Sequence, residues 1–375
     1  HNFGTPNSVA GPISLLIGRP VPRRIGEILD AAVLVSLILG MAASLGAGML
    51  LLSGGIGKLS GLTTTPLVLA GIALSIIVIV LISSVSGLLR GIRLLSDVNT
   101  RFFFAFVAFV FVFGPTLDIL SGAGRAISGY IVEFVPRSTL IGDGVSRSWV
   151  NDWTVFYWAN WLAWAPVTAM FLGRIARGYT VRDFIVMNLF IPAAFSMGWM
   201  SVFGGFAMST DRAMEGGLKS VLETAGPEGV AFEAIATLPL GTVLIIVLLG
   251  LSFISYVTAA DSNTEAIRMI CVGKSPEMVD VATSEDTLAG GAALKIIWMA
   301  LLGFCAWVMT AWSGIDGVRM LSNLGGLPAL FIVSALALTL IQFSRGEGLR
   351  QLQSAPAGHP YKTSATDAAI TADAD

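Results

Sequence analysis

This 375-residue chain carries few charges: Asp, Glu, Lys and Arg make up 12% of it, against about a quarter of an ordinary soluble domain. With 55% hydrophobic residues and a mean hydropathy of +0.80, that shortage excludes a soluble globular domain and indicates a polytopic membrane protein. A net charge of -2, with the basic residues scattered between apolar runs, excludes nucleic-acid binding, which needs a basic stripe. Cysteine and histidine are almost missing. Cys271 and Cys305 have no CxxC or metal spacing, and His1 and His359 stand near the ends, so zinc, redox and histidine-relay chemistry have no raw material. The apolar runs contain no HExxH and no neighbouring carboxylates, which argues against a membrane-embedded enzyme. No cofactor is expected.

What the chain does have is long apolar runs. Eight are long enough to cross a bilayer, at about 20 residues each: 28–53, 66–89, 102–122, 153–173, 183–207, 234–259, 289–312 and 321–343. Fourteen Lys and Arg fall in one set of alternate connections, including Arg23, Arg90, Arg93, Arg174, Arg177 and Arg268, and seven fall in the other. The richer set belongs inside, so both ends of the chain are expected in the cytoplasm, with the basic residues anchored at lipid headgroups. Two outer connections are long. The segments AISGYIVEFV (126–135) and RAMEGGLKSVLETA (212–225) suit amphipathic helices that either roof a cavity or pack on the loops between spans. A transmembrane domain over 1–350 and a disordered tail over 351–375, rich in Ala, Ser, Thr and Asp, complete the division. The segment HNFGTPNSVAGPISLLIGRPVPRR at the start lacks the order of a signal peptide, so a beginning further upstream is expected.

One segment stands out. WTVFYWANWLAWAP (153–166) holds four Trp, one Tyr and one Phe in fourteen positions. At ~100° per residue, Trp153, Trp164, Tyr157, Trp161 and Trp158 share one face, with Asn160 beside it. An interfacial belt gathers at one depth, whereas Trp153 to Trp164 extend over about 16 Å of helix, so only Trp153 suits a belt. Ordinary packing is the plain reading of such a ladder. Pro166, which removes a backbone hydrogen bond, and the density of rings favour a binding face beside a broken helix. Ring faces can hold a quaternary ammonium, which offers no N–H donors.

The stretch WTVFYWANWLAWAPVTAMFLGRIARG (153–178) resembles the signature segment of the betaine/choline/carnitine transporter family. Further landmarks follow in family order: ASLGAGMLLLSGGI (43–56), SGLLRGIRLLSDVN (86–99), SVFGGFAM (201–208), TAADSNTEA (258–266) and LSNLGGLPALFIV (321–333). The resemblance implies an all-α, polytopic integral membrane protein with a leucine-transporter-type inverted-repeat helical bundle. It implies secondary active transport of quaternary ammonium or sulfonium osmolytes such as glycine betaine, choline or carnitine across the cell inner membrane. Family members have twelve spans, and the eight here resemble the fifth to the twelfth, so a piece lacking the first core helices is expected. Members often form trimers, which makes a homotrimer the implied assembly, although nothing in the chain itself specifies one. A membrane sensor or channel for the same ligand is the alternative reading.

The resemblance also assigns roles. Trp161 would cage the ammonium and Trp164 would stack on it as it moves inward, while Phe156, Tyr157 and Trp158 would line or gate the outer approach. Asn160 replaces a common tryptophan; either it reaches a polar group on the substrate or it hydrogen-bonds a neighbouring helix. Sodium-coupled members place hydroxyls near Thr258 and Ser44, but the partner positions are Ala259 and Ala43 here, so the coupling ion is left between Na+ and H+. Asp118 is the other coupling candidate, as a proton carrier or as a solvated or Arg-paired residue. Asp261 follows the family pattern, where capping or an arginine partner is expected.

Overall fold

In a bilayer, backbone polar groups must be satisfied within the segment, which drives apolar runs into helices. The computed structural model describes residues 9–17, 21–85, 89–141, 144–176, 178–272 and 285–345, and the regular structure among them is helical throughout. In chain order the helices are α1 (Ala10–Ile17), α2 (Arg23–Ser60), α3 (Pro66–Val85), α4 (Leu89–Phe113), α5 (Thr116–Val132), α6 (Phe134–Ser138) and α7 (Arg147–Trp149). A π-helical stretch (Val150–Val155) leads into α8 (Phe156–Ile175). Then come α9 (Val181–Ile185), a second π stretch (Val186–Phe190), α10 (Ile191–Ala213), α11 (Gly217–Ala225), α12 (Pro227–Ala236), α13 (Gly241–Val272) and α14 (Glu285–Ser344). The expected tail over 351–375 lies outside the described residues.

Among the described residues the eight expected runs fall in helical stretches, with corrections, and residues 86–88 of the second run lie outside the described residues. The run 102–122 is divided at Gly114 and Pro115. A proline ring clashes with the carbonyl four residues back, so α4 ends and α5 begins, with the Thr116 hydroxyl donating to the Phe111 carbonyl at 2.7 Å. The run 234–259 opens at Gly241, after a turn in which Leu240 takes a φ of +60°. Five helical stretches among the described residues are long and apolar enough to cross a membrane, and the last, Leu294–Gln342, joins two of the expected runs. It is not straight. Gly314 has φ +54° and ψ -133°, and a Cβ on Gly317 would sit 2.2 Å from the Met309 carbonyl oxygen. Eight helical residues would separate these positions by about 12 Å, so α14 doubles back and its two arms carry two of the expected runs.

The arms of α14 pack on α2, whose buried residues lie between Val33 and Gly55. The main core gathers side chains from α2, α3, α13 and both arms of α14, including Leu37, Met49, Ile76, Ile267, Met299 and Leu321. A second core joins α4, α5, α10, α12 and α13 around Phe106, Val110, Phe206 and Phe232. Packing, not hydrophobicity, holds helices together in lipid, and small residues at contacts let backbones approach.

Candidate functional site

α8 is clamped on one side by small residues. A Cβ on Gly326 of α14 would lie 2.5 Å from both Cα and the carbonyl oxygen of Ala159, so only glycine permits this contact. Ala163 is fully buried and meets α2 at Gly40, where the Trp164 indole nitrogen also lies close. This clamp fixes which side of α8 faces inward and turns the aromatic side outward.

The ladder is therefore mostly exposed. Trp161 is 69% exposed and Trp158 54%, with Trp153 and Tyr157 close behind. Trp149, Trp153 and Tyr157 form a continuous stack at 6.4 and 5.8 Å between centroids, the second pair nearly parallel at 7°, and Phe156 meets Tyr157 edge-on at 5.2 Å. The π-helical turn over 150–155 widens the helix and brings side chains four residues apart nearer to eclipsed. Trp164 departs from the other rings: it is half-buried against the main core. The break expected at Pro166 is not there, because α8 runs through it from Phe156 to Ile175. The irregularity lies at the head of the ladder instead, in the π stretch that holds Trp153, and π turns recur at functional sites.

The connection between α5 and α8 packs on the head of this helix: the Trp158 indole donates to the Ser138 carbonyl at 2.8 Å and the Thr154 hydroxyl to that of Leu140 at 3.0 Å. Arg319 of the second arm of α14 pairs with Asp152 at 3.3 Å and with Asp316 at 2.9 Å, tying that arm to the π turn. For Asn160, the structure places the helix-to-helix bond: the Ser322 hydroxyl donates to its Oδ1 at 3.1 Å. Phe156 is half-buried.

The coupling candidates have separate surroundings. The Thr258 hydroxyl donates to the carbonyls of Ile254 and Ser255 in its own helix, both at 3.0 Å. Ser44 lines a cavity of about 20 Å³ with Met41, Tyr256, Ala259, Asn263 and Met299, room for about one water molecule. The methyl of Ala259 sits where a hydroxyl was expected, and the wall is largely apolar, a poor donor set for an alkali cation. Asp118 is exposed in the first turn of α5, where the helix dipole favours a carboxylate, and Ser209 donates to it at 2.6 Å.

Asp261 is paired within a helix. α13 continues to Val272, so Asp261 stands inside the helix, and Lys295 Nζ lies 2.6 Å from its Oδ1, with only 11% and 12% of the two side chains exposed. Lys295 and Ser322 escaped the sequence reading. A lysine within an apolar span was the available signal for the first, whereas nothing in the sequence marks Ser322. Of the headgroup-anchor arginines, Arg177 lies outside the described residues.

Residues 1–348 match the family described as BCCT, betaine/carnitine/choline family transporter. An ectoine/hydroxyectoine transporter of Virgibacillus pantothenticus is 31% identical over 86% of this chain and 61% of its own length. A glycine betaine transporter of Bacillus subtilis (strain 168) is 28% identical over 90% and 64%, and a high-affinity choline transport protein of Escherichia coli (strain K12) 28% over 89% and 48%. The chain thus spans about half to two thirds of the length of these relatives. With its apolar helices and this match over nearly its whole described length, the chain is a multi-pass membrane protein that belongs to the BCCT, betaine/carnitine/choline transporter family, a family of transporters and not of enzymes.

Proposed function

We propose that the protein is a secondary active transporter of compact quaternary ammonium osmolytes and related zwitterions, glycine betaine, choline and carnitine among them, working by alternating access. The finer architecture of the proposal is a leucine-transporter-type inverted-repeat bundle with about eight spans in this chain, both of its ends cytoplasmic, in the cell inner membrane. One observation carries it: the rings of Trp153, Tyr157, Trp158 and Trp161 stand exposed along a helix whose other side is locked by Gly326 and Gly40. A cation over a ring face gains about 0.5–2 kcal/mol and needs no donor.

On this reading Trp161 cages the ammonium, Trp164 meets it on the inward path, and Phe156, Tyr157 and Trp158 line the outer approach. Asn160, oriented by Ser322, presents its amide nitrogen to a carboxylate or hydroxyl on the solute. Rocking of α8 between α2 and the second arm of α14 opens the path to one side and then the other. Coupling to Na+ or H+ belongs to the same proposal, with Thr258, Ser44 and Asp118 as its residues; Ala43 and Ala259 remove two hydroxyls from the sodium arrangement. Uptake of radiolabelled glycine betaine and choline by the full-length protein in proteoliposomes tests the reading. Saturable uptake that follows an imposed gradient of either ion supports it; non-saturating flux or binding without uptake refutes a carrier.

A further inference from the structure

The second outer connection folds into α11 and α12, and these border, with the end of α2 and the 61–65 loop, an open cavity of about 490 Å³. That size falls within the range of small-molecule sites, about 300–1,000 Å³. It is separate from the aromatic ladder: Ser53 on its wall lies thirteen residues beyond Gly40, which sits beside Trp164, or about 20 Å along α2.

The wall sets polar groups within a larger apolar area, and its charges do not cancel. Lys58 of α2 pairs with Glu233 of α12 at 2.5 Å, and the buried Ser53 hydroxyl meets Thr64 at 2.8 Å. Glu228 also lines the chamber, is half-buried, and takes no hydrogen bond or ion pair among the described residues. With Lys58 neutralised by Glu233, Glu228 leaves one net negative charge among the residues that line the cavity. No aromatic ring lines it.

We propose that this chamber is a second binding site for small organic cations, and for the cationic end of zwitterions, held by the Glu228 carboxylate and surrounding hydroxyls instead of by ring faces. It deepens the functional reading, on which the solutes carry a quaternary ammonium. α11 and α12 border it, and the carboxylate raises the local concentration of cations at the outer end of α2.

Thr224, exposed on α11 at the chamber wall, gives a direct probe. In the full-length protein, Thr224→Cys is labelled with two methanethiosulfonates, one bearing trimethylammonium and one a sulfonate. The trimethylammonium reagent reacts faster, and Glu228→Gln, which keeps the shape, lowers the ratio of the two rates by about fivefold, as expected for loss of one partly screened charge nearby. Choline slows the labelling, and still does so when Trp161→Ala and Trp164→Ala are added. A ratio unchanged by Glu228→Gln overturns the proposal, as does protection that disappears with the two tryptophans, which would mean that choline acts only from the aromatic face. Persistent protection in a protein that transports neither choline nor glycine betaine would uphold the chamber and refute the carrier reading instead.

Discussion

Gly326→Ala is the substitution on which the geometry of α8 bears most heavily. The added methyl would lie 2.5 Å from the Ala159 Cα and carbonyl oxygen and 2.7 Å from its Cβ, where ordinary contact begins at 3.4 Å. The two helices must part by about 0.9 Å to restore contact. That movement stretches the 3.1 Å bond between Ser322 and Asn160 beyond hydrogen-bonding range and shifts the ladder relative to α14. Overpacking of this kind costs about 1–3 kcal/mol. Thermal unfolding of the full-length protein in detergent, read beside uptake in proteoliposomes, should show a lowered midpoint and reduced uptake. Two of the three obstructing atoms are backbone, so Ala159→Gly does not rescue the variant. Gly71 is the control: nothing lies within 4 Å of a Cβ there, and Gly71→Ala should be neutral or stabilising by up to about 1 kcal/mol. If Gly326→Ala melts and transports like Gly71→Ala, the clamped placement of α8 is wrong.

Asp261→Asn strands the Lys295 ammonium in a site where only 11% of its side chain is exposed. It should cost about 3–5 kcal/mol, whereas replacing both residues by methionine should cost much less; equal losses in thermal unfolding would show that the two charges are not coupled. Asp152→Asn removes a half-exposed partner of Arg319 and should change the unfolding midpoint little, since such pairs contribute about 0–1 kcal/mol. A double-mutant cycle on Asn160 and Ser322, each to Ala, should give a coupling of about 0.5–1.5 kcal/mol, and a zero value would contradict the bond. Asn160→Trp should alter the preference between choline and glycine betaine in competition uptake; an unchanged preference removes Asn160 from specificity.

The helices were legible in the sequence because lipid demands long apolar helices, and that demand leaves its mark on the apolar runs. The hairpin of α14 was legible only as two runs, since its turn depends on the backbone of Gly314 and the close approach at Gly317, neither visible in hydropathy. Pro166 misled for a related reason: a proline inside an apolar helix removes one bond, yet α8 continues past it. The aromatic face was readable from spacing, but the inward position of Trp164 depends on Gly40 and Ala163, small residues whose meaning emerges only when a neighbouring helix is in place. Asp261 gave the position of one buried charge. Its partner came from a helix 34 residues away in sequence, which periodicity within one helix cannot supply.

The central claim, that the exposed rings of α8 receive the transported cation, is tested most directly by saturable uptake of radiolabelled choline and glycine betaine in proteoliposomes holding the full-length protein or its Trp161→Ala variant. Trp161 is 69% exposed, so the substitution should leave the unfolding midpoint almost unchanged while raising KM about 5- to 30-fold, the loss of one strong cation–ring contact. An unchanged KM in a stable, transporting Trp161→Ala protein would contradict the account.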